Sequence, residues 1–354
     1  MDERIARLAD ILVNYSLEVR EGSLIALSFD ADAAPLALAC YKLLIRKGAE
    51  VIVHANLPGF AYAYFSAASE RQLQQVPIIR KYEAEHVDGT LSIGAQYNTR
   101  ELSSTDPRKI AVRSRVIQPL SEIILKKDNW VLCEYPTHAL AQEADMSLEE
   151  FEDFLYAACL RDWKQEEEFQ QRLKAILDAG RELRIVGENT DIRFSIEGRE
   201  GILCCGHCNM PDGEVFLAPV EDSTEGHIHF TYPAIFRGRE VENVRLQFHK
   251  GKVVEASASK NEGFLKEMLA TDPGASYLGE CGIGTNFSIT RHIKNILFDE
   301  KIGGTVHLAL GMAYKKGGGK NESALHWDMI KDLRSGGKIL VDGKVIQENG
   351  RFVI

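Results

Sequence analysis

No stretch of this sequence reaches the roughly 18 uninterrupted apolar residues that a membrane-crossing helix needs, so no membrane span is expected. The segment Met1 to Arg20 is charged and amphipathic. It lacks the apolar core of a secretory leader, which points to a cytoplasmic protein. No Lys/Arg-rich run with interleaved aromatics is present, and 42 basic residues stand against 52 acidic ones for a net charge of −10. That balance argues against a nucleic-acid backbone as partner, because such binding needs clustered positive charge. Cysteine is sparse, at seven, an odd count in a long chain, so reduced thiols are expected rather than a disulfide framework. Internal repeats and long low-complexity linkers are absent as well.

What is present fits a soluble chain of two domains. The 354 residues are 45% hydrophobic and 27% charged, enough to bury a core without staples. Ile5, Leu8, Ala9, Leu12 and Val13 recur at helical spacing. Leu24 to Phe29 has strand character, Pro35 to Lys47 reads as a helix stopped by Gly48, and Glu50 to His54 is again strand-like. Strand, helix, strand makes a βαβ unit, and the runs GTLSIG (89–94) and WVLCEY (130–135) extend it into a doubly wound α/β domain. Ser147 to Ala179 reads as one helical segment closed by Gly180, with its acids at the start where the helix dipole favours them. From Arg184 onward short alternating stretches and turns follow, such as Asp212-Gly213 and Asp342-Gly343. The reading is an α/β domain over 1–182 and a β-rich α+β domain over 183–354.

The candidate chemistry lies after residue 200. Glu214 leads off a Val-Phe-Leu run from the Pro211-Asp212-Gly213 turn, well placed to point into a site; the bland alternative is a solvated turn acid. Glu280 sits among small residues in LGECGIGTN, where glycines let backbone approach a ligand; the alternative is a Gly-rich surface loop. The Gly-x-Gly there lacks the rest of a dinucleotide fingerprint. His307 lies inside an apolar strand, with Glu300 before it across Gly303-Gly304 and Tyr314 after it. A lone His in such a run is commonly a satisfied core residue, and Tyr314 alone reads as packing. His326 and Asp328 alternate on one face of an extended segment, so the pair can hold one cation, or the acid can bridge two. Carboxylates plus imidazoles suit Zn²⁺, Co²⁺ or Mn²⁺. Six such donors are about what a pair of ions some 3.5–4 Å apart requires.

Two further groups carry less weight. Cys204, Cys205, His207 and Cys208 resemble half a zinc site, but no second cysteine pair follows, so buried thiols are the preferred reading. His227 and His229 read as a strand surface pair.

Taken in order, NMPDGEVF…AP, LGE.GIGTN, the Asp299-Glu300…His307-Leu-Ala-Leu-Gly-x-Ala-Tyr314 segment and His326-Trp327-Asp328 resemble the aminopeptidase T and aminopeptidase S family of metallopeptidases. Tyr135-Pro136-Thr137 with Ala141-Gln142 is similar to another family segment, and the resemblance spans nearly the whole chain. It implies removal of N-terminal residues from peptides with a free N-terminus, two divalent ions such as cobalt or zinc, and a homodimer. It also implies metal binding by Glu214, Glu280, Glu300, His307, His326 and Asp328, with Glu280 shared between ions. Catalytic assistance falls to Tyr314 and Glu280, the identity of the general base staying open. The chain departs from the family in being shorter, in a slightly longer Glu300-to-His307 spacing, and in an abbreviated Tyr314-to-His326 stretch.

Two rival readings differ in class. A related-looking group of enzymes opens dihydroxypyridine rings with one Fe²⁺ on two histidines and a carboxylate, which His307, His326 and Asp328 could supply. The other rival is a non-catalytic homologue that kept the scaffold.

Overall fold

The computed structural model describes residues 2–354, and Cα packing divides the chain into two units, residues 1–161 with 206–211, and residues 162–205 with 212–354. Among the described residues no helix is long and apolar enough to cross a membrane, and no two cysteines are joined by a disulfide.

The first unit is built on a parallel sheet of five strands in the order Glu50–Asn56, Leu24–Asp30, Gly89–Gly94, Trp130–Glu134, Asn209–Met210. Buried Ile25, Leu27, Leu91, Ile93 and Val131 give it the apolar strands that a sheet covered by helices requires. The helix Ala34–Arg46 makes the first crossover, carrying Pro35 in its first turn, where a missing N–H costs nothing. Within Tyr135-Pro136-Thr137, the Thr137 hydroxyl caps the helix His138–Glu143 by accepting from the Leu140 amide, so that part of the motif shapes the fold.

Two details differ from the sequence reading. The single helical segment expected over 147–179 is two helices, Leu148–Cys159 and Trp163–Ala179. Each has its own N-cap, Ser147 in a capping box with Glu150 and Asp162 accepting from the Gln165 amide. The second helix belongs to the second unit, so the unit boundary falls before it, whereas the sequence reading cuts the chain after it, at 182/183. Residues 206–211 also return to the first unit, where Asn209–Met210 supplies the fifth parallel strand.

The second unit holds two large antiparallel sheets and a two-stranded one, Ala234–Phe236 with Arg239–Val241. An eight-stranded sheet includes Glu182–Gly187, Thr190–Ser195, Glu225–His229, Arg245–His249 and Lys338–Val341. A five-stranded sheet runs His326–Asp332, Thr305–Gly311, Leu278–Gly284, Glu214–Leu217, Ile202–Cys204. They share one core. Ile185, Ile192, Phe194, Ile228, Leu246 and Phe248 come from the larger sheet. Val215, Leu217, Cys281, Ile283, Val306, Leu308, Trp327 and Met329 come from the smaller one. Leu173 and Leu177 of the Trp163–Ala179 helix join the same cluster.

The period of two along a strand then dictates the rest. If Val215, Cys281, Ile283, Val306, Leu308 and Trp327 face the core, then Glu214, Glu280, Gly282, His307, Ala309, His326 and Asp328 face the other side. Register aligns them in rows: Glu280 opposite Ala309 and Ala309 opposite Asp328, with Phe216 opposite Gly282 and Gly282 opposite His307.

Candidate metal centre

On that second face donor atoms of four side chains converge. His307 Nε2 lies 3.0 Å from Glu280 Oε1 and 3.9 Å from Asp328 Oδ1. His326 Nε2 lies 3.6 Å from Asp328 Oδ1 and 3.9 Å from Glu280 Oε2. A tetrahedral ion with bonds of about 2.0–2.1 Å sets its ligand atoms about 3.3–3.4 Å apart. Each imidazole thus has both Glu280 and Asp328 within 3.0–3.9 Å, around the spacing of neighbouring ligands on one ion.

Both imidazoles are oriented in the same way. His326 Nδ1 donates to the Met312 carbonyl at 2.8 Å, and His307 Nδ1 donates to the Glu300 carbonyl at 3.2 Å. Each Nδ1–H is thereby spent on main chain, and each Nε2 lone pair is left for a ligand.

Glu214 and Glu300 complete the cluster. Glu214 Oε2 lies 3.5 Å from His307 Nδ1. Donor atoms of Glu214, Glu280 and His307 lie within 4.8 Å of one another, as do those of Glu300, His307 and Asp328. The structure thus brings together all six side chains named from the sequence as metal donors. Glu214 Oε2, Glu280 Oε2 and Asp328 Oδ1 are buried without a hydrogen-bond partner. Buried carboxylate oxygens left unsatisfied are costly. A cation among them removes that cost, and the mixed carboxylate–imidazole set fits a transition-type divalent ion.

The electrostatics describe a site that holds protons when no cation is present. Burial pushes the Glu214 carboxyl up to about 8, against the pull of Lys301 and His307. Burial works against a charge on His307, yet Glu214, Glu280 and Asp328 outweigh it and raise the imidazolium to about 10. His326 is raised too, against its own burial, by Asp328 and Glu280. Metal must therefore displace protons. Below the raised pKa of His307 the proton competes more strongly as pH falls, so metal affinity falls with it, about tenfold per pH unit for each proton released. Calorimetric titration at neutral pH in two buffers of different ionisation enthalpy should show at least one proton released with the first ion.

Tyr314, the remaining sequence candidate, follows the His307 strand. Its ring centroid is 5.4 Å from that of His326 and 5.6 Å from that of Phe216. Desolvation, then the charges of Glu280 and Asp328, hold its phenol well above the usual range, so it stays protonated. It is 44% exposed, which marks the open side of the centre.

Three supporting residues were not singled out from the sequence. Gly282 lies opposite His307, and a Cβ there would come 2.0 Å from His307 Cε1, so only glycine leaves the ring its place. Buried Asn286 donates its side-chain amide to the Asp212 carbonyl at 2.8 Å, and its main-chain N–H donates to the Lys301 carbonyl at 3.0 Å. It thus joins the turn before Glu214 to the loop after Glu300. Gly213 in that turn has φ +125°, and a Cβ there would lie 2.6 Å from that of Asn286. The third is Lys301, fully buried, with its ammonium on Glu300 Oε1 and 3.6 Å from Glu214 Oε1. A lysine beside an acid reads in sequence as a solvated pair, and no spacing signal sets it apart.

The other cysteine and histidine groups are not counted among the donors of this centre. Cys204 lies near Asp212 and Glu214, but burial and those acids keep its thiol protonated, which makes it a poor ligand. His227 and His229 lie on the Glu225–His229 strand of the eight-stranded sheet.

An α/β unit, a β unit and a cage of acids and imidazoles on one sheet face define a metal-dependent enzyme. A model of the thermophilic metalloprotease family (M29) matches residues 1–352. The chain belongs to that family and is a metallopeptidase. Aminopeptidase 2 of Geobacillus stearothermophilus is 28% identical, with 88% of this chain and 84% of the relative aligned. Aminopeptidase AmpS of Bacillus subtilis (strain 168) is 37% identical over 192 residues, covering 46% of each chain. A solved structure of wild-type AmpT from Thermus thermophilus superposes with a TM-score of 0.87 at 22% identity, covering 99% of each chain, which shows the fold. The iron dioxygenase alternative finds no support, because the metalloprotease match spans essentially the whole chain.

Proposed function

We propose that the enzyme is an aminopeptidase that hydrolyses the first peptide bond of substrates with a free N-terminus, at a centre with two cation positions. The observation that carries this reading is the approach of both His307 and His326 to Glu280 and Asp328, with Glu214 and Glu300 alongside. That its relatives are named as aminopeptidases supports the substrate class. In this reading Glu280 is the shared donor, and zinc, cobalt or manganese is the ion.

Divalent ions here supply Lewis acidity to the scissile carbonyl and to the attacking water. The protein's own groups do the rest. His307 and His326 hold their Nε2 atoms in place through main-chain carbonyls. A carboxylate of the cluster accepts the proton of the attacking water. Tyr314, kept protonated, donates a hydrogen bond to the developing oxyanion. The substrate enters on the Tyr314 side, where Phe216 offers an apolar wall for the first side chain.

The assay is direct. Protein stripped of metal and reloaded with Co²⁺ or Zn²⁺ should cleave Leu- and Arg-p-nitroanilide. If metal is bound and no N-terminal amide is cleaved, the aminopeptidase reading is wrong. Tyr314→Phe should lower kcat by roughly 10- to 100-fold with little change in KM or metal content. A variant with parental kcat would remove Tyr314 from the reaction.

A further inference from the structure

We propose that the ammonium of Lys301 occupies the second cation position, so that the centre binds one ion tightly and admits a second only by displacing Lys301. The inference rests on the metal-centre reading above and concerns the same site.

The geometry is specific. The four donors around the first position are His307, His326, Glu280 and Asp328. The carboxylates that Lys301 contacts are the other two, Glu214 and Glu300. Its Nζ touches Glu300 Oε1 and lies 3.6 Å from Glu214 Oε1, with the lysine side chain wholly shielded from water. A positive charge is thus already in place between the acids that would hold a second ion.

The main chain keeps it there. The Lys301 carbonyl accepts from the Asn286 amide at 3.0 Å and its own N–H donates to the Phe298 carbonyl at 3.0 Å. The Gly303 amide returns to the Asn286 carbonyl at 3.0 Å. Only the side chain is left to move, within a buried site.

Space decides the rest. Buried Asp212 lies beside Glu214 and adds a further acid to the cluster, so net charge alone does not exclude a second ion. The ammonium itself does: two cations cannot share the gap between Glu214 and Glu300, so a second ion enters only as Lys301 swings its ammonium away.

The experiment titrates Co²⁺ into metal-free, full-length protein and measures bound metal by equilibrium dialysis with elemental analysis. The wild type should take up one ion, with the second binding at least about 100-fold more weakly. Lys301→Met, similar in length and uncharged, should bring the second affinity to within about tenfold of the first. Lys301→Arg should keep single occupancy. Two ions of comparable affinity in the wild type would overturn the proposal, as would unchanged stepwise binding in a folded Lys301→Met. If Lys301→Met does not fold, as judged by its circular dichroism and melting, the wild-type isotherm decides alone. Binding of no metal at all would instead bring down the metal-centre reading. Two equal ions with peptide cleavage would sink only the role of Lys301.

Discussion

Glu280→Gln should empty the centre and abolish hydrolysis together. Glu280 lies against both imidazoles at once, Oε1 at 3.0 Å from His307 and Oε2 at 3.9 Å from His326. The amide keeps the shape but loses the charge, and half of its acceptor capacity becomes a donor aimed at a metal position. We expect kcat/KM to fall by about three orders of magnitude, roughly 4 kcal/mol of transition-state stabilisation. Metal content after dialysis should fall in parallel. The fold should survive, because Glu280 lies on the sheet face turned away from the shared core. A Glu280→Gln protein that retained its metal and cleaved p-nitroanilides like the parent would show that Glu280 is neither ligand nor base.

Gly282→Ala should weaken the same centre without touching a donor. Gly282 is not in the left-handed region of backbone space, so alanine meets no conformational barrier there. Its obstacle is steric. A Cβ would sit 2.0 Å from His307 Cε1 and 2.4 Å from Nε2. The imidazole, wholly buried, has to tilt or shift, and either motion moves Nε2 off Glu280 and Asp328. Misplacing a ligand costs on the order of 10- to 100-fold in metal affinity, and overpacking costs about 1–3 kcal/mol of stability. Calorimetric metal titration and thermal melting measure the two effects separately. Parental affinity in Gly282→Ala would mean that the ring is not confined as described.

The two variants also mark the limit of what the sequence reveals. His326 and Asp328 are legible as a pair because strand alternation puts them on one face whatever surrounds them. Glu214 is legible from the turn it follows. Glu280 is harder, since LGECGIG reads equally as a glycine-rich loop. In the fold it is a strand with every residue buried, and its alternation is masked because the site-facing positions beside Glu280 are glycines. His307 has the same difficulty, an imidazole in a strand buried along its whole length. Lys301 is invisible, since its burial depends on the 284–286 segment folding over the 300–303 loop, a contact that no local pattern encodes. In the scaffold, the βαβ unit of the first half follows from periodicity. The Asn209–Met210 strand does not, because two residues are too few to show a period.

The acceptors that aim the two imidazoles have a wider implication. The Met312 and Glu300 oxygens that accept from them belong to the polypeptide itself, so they are the same atoms whatever side chain occupies either position. Many metalloenzymes delegate this task to an outer carboxylate, which one codon change can erase. Here the aim of each ring is inherited with the course of the chain. Substitution at Met312 can therefore drift without turning His326, whereas an insertion or deletion between the two strands would misdirect it at once.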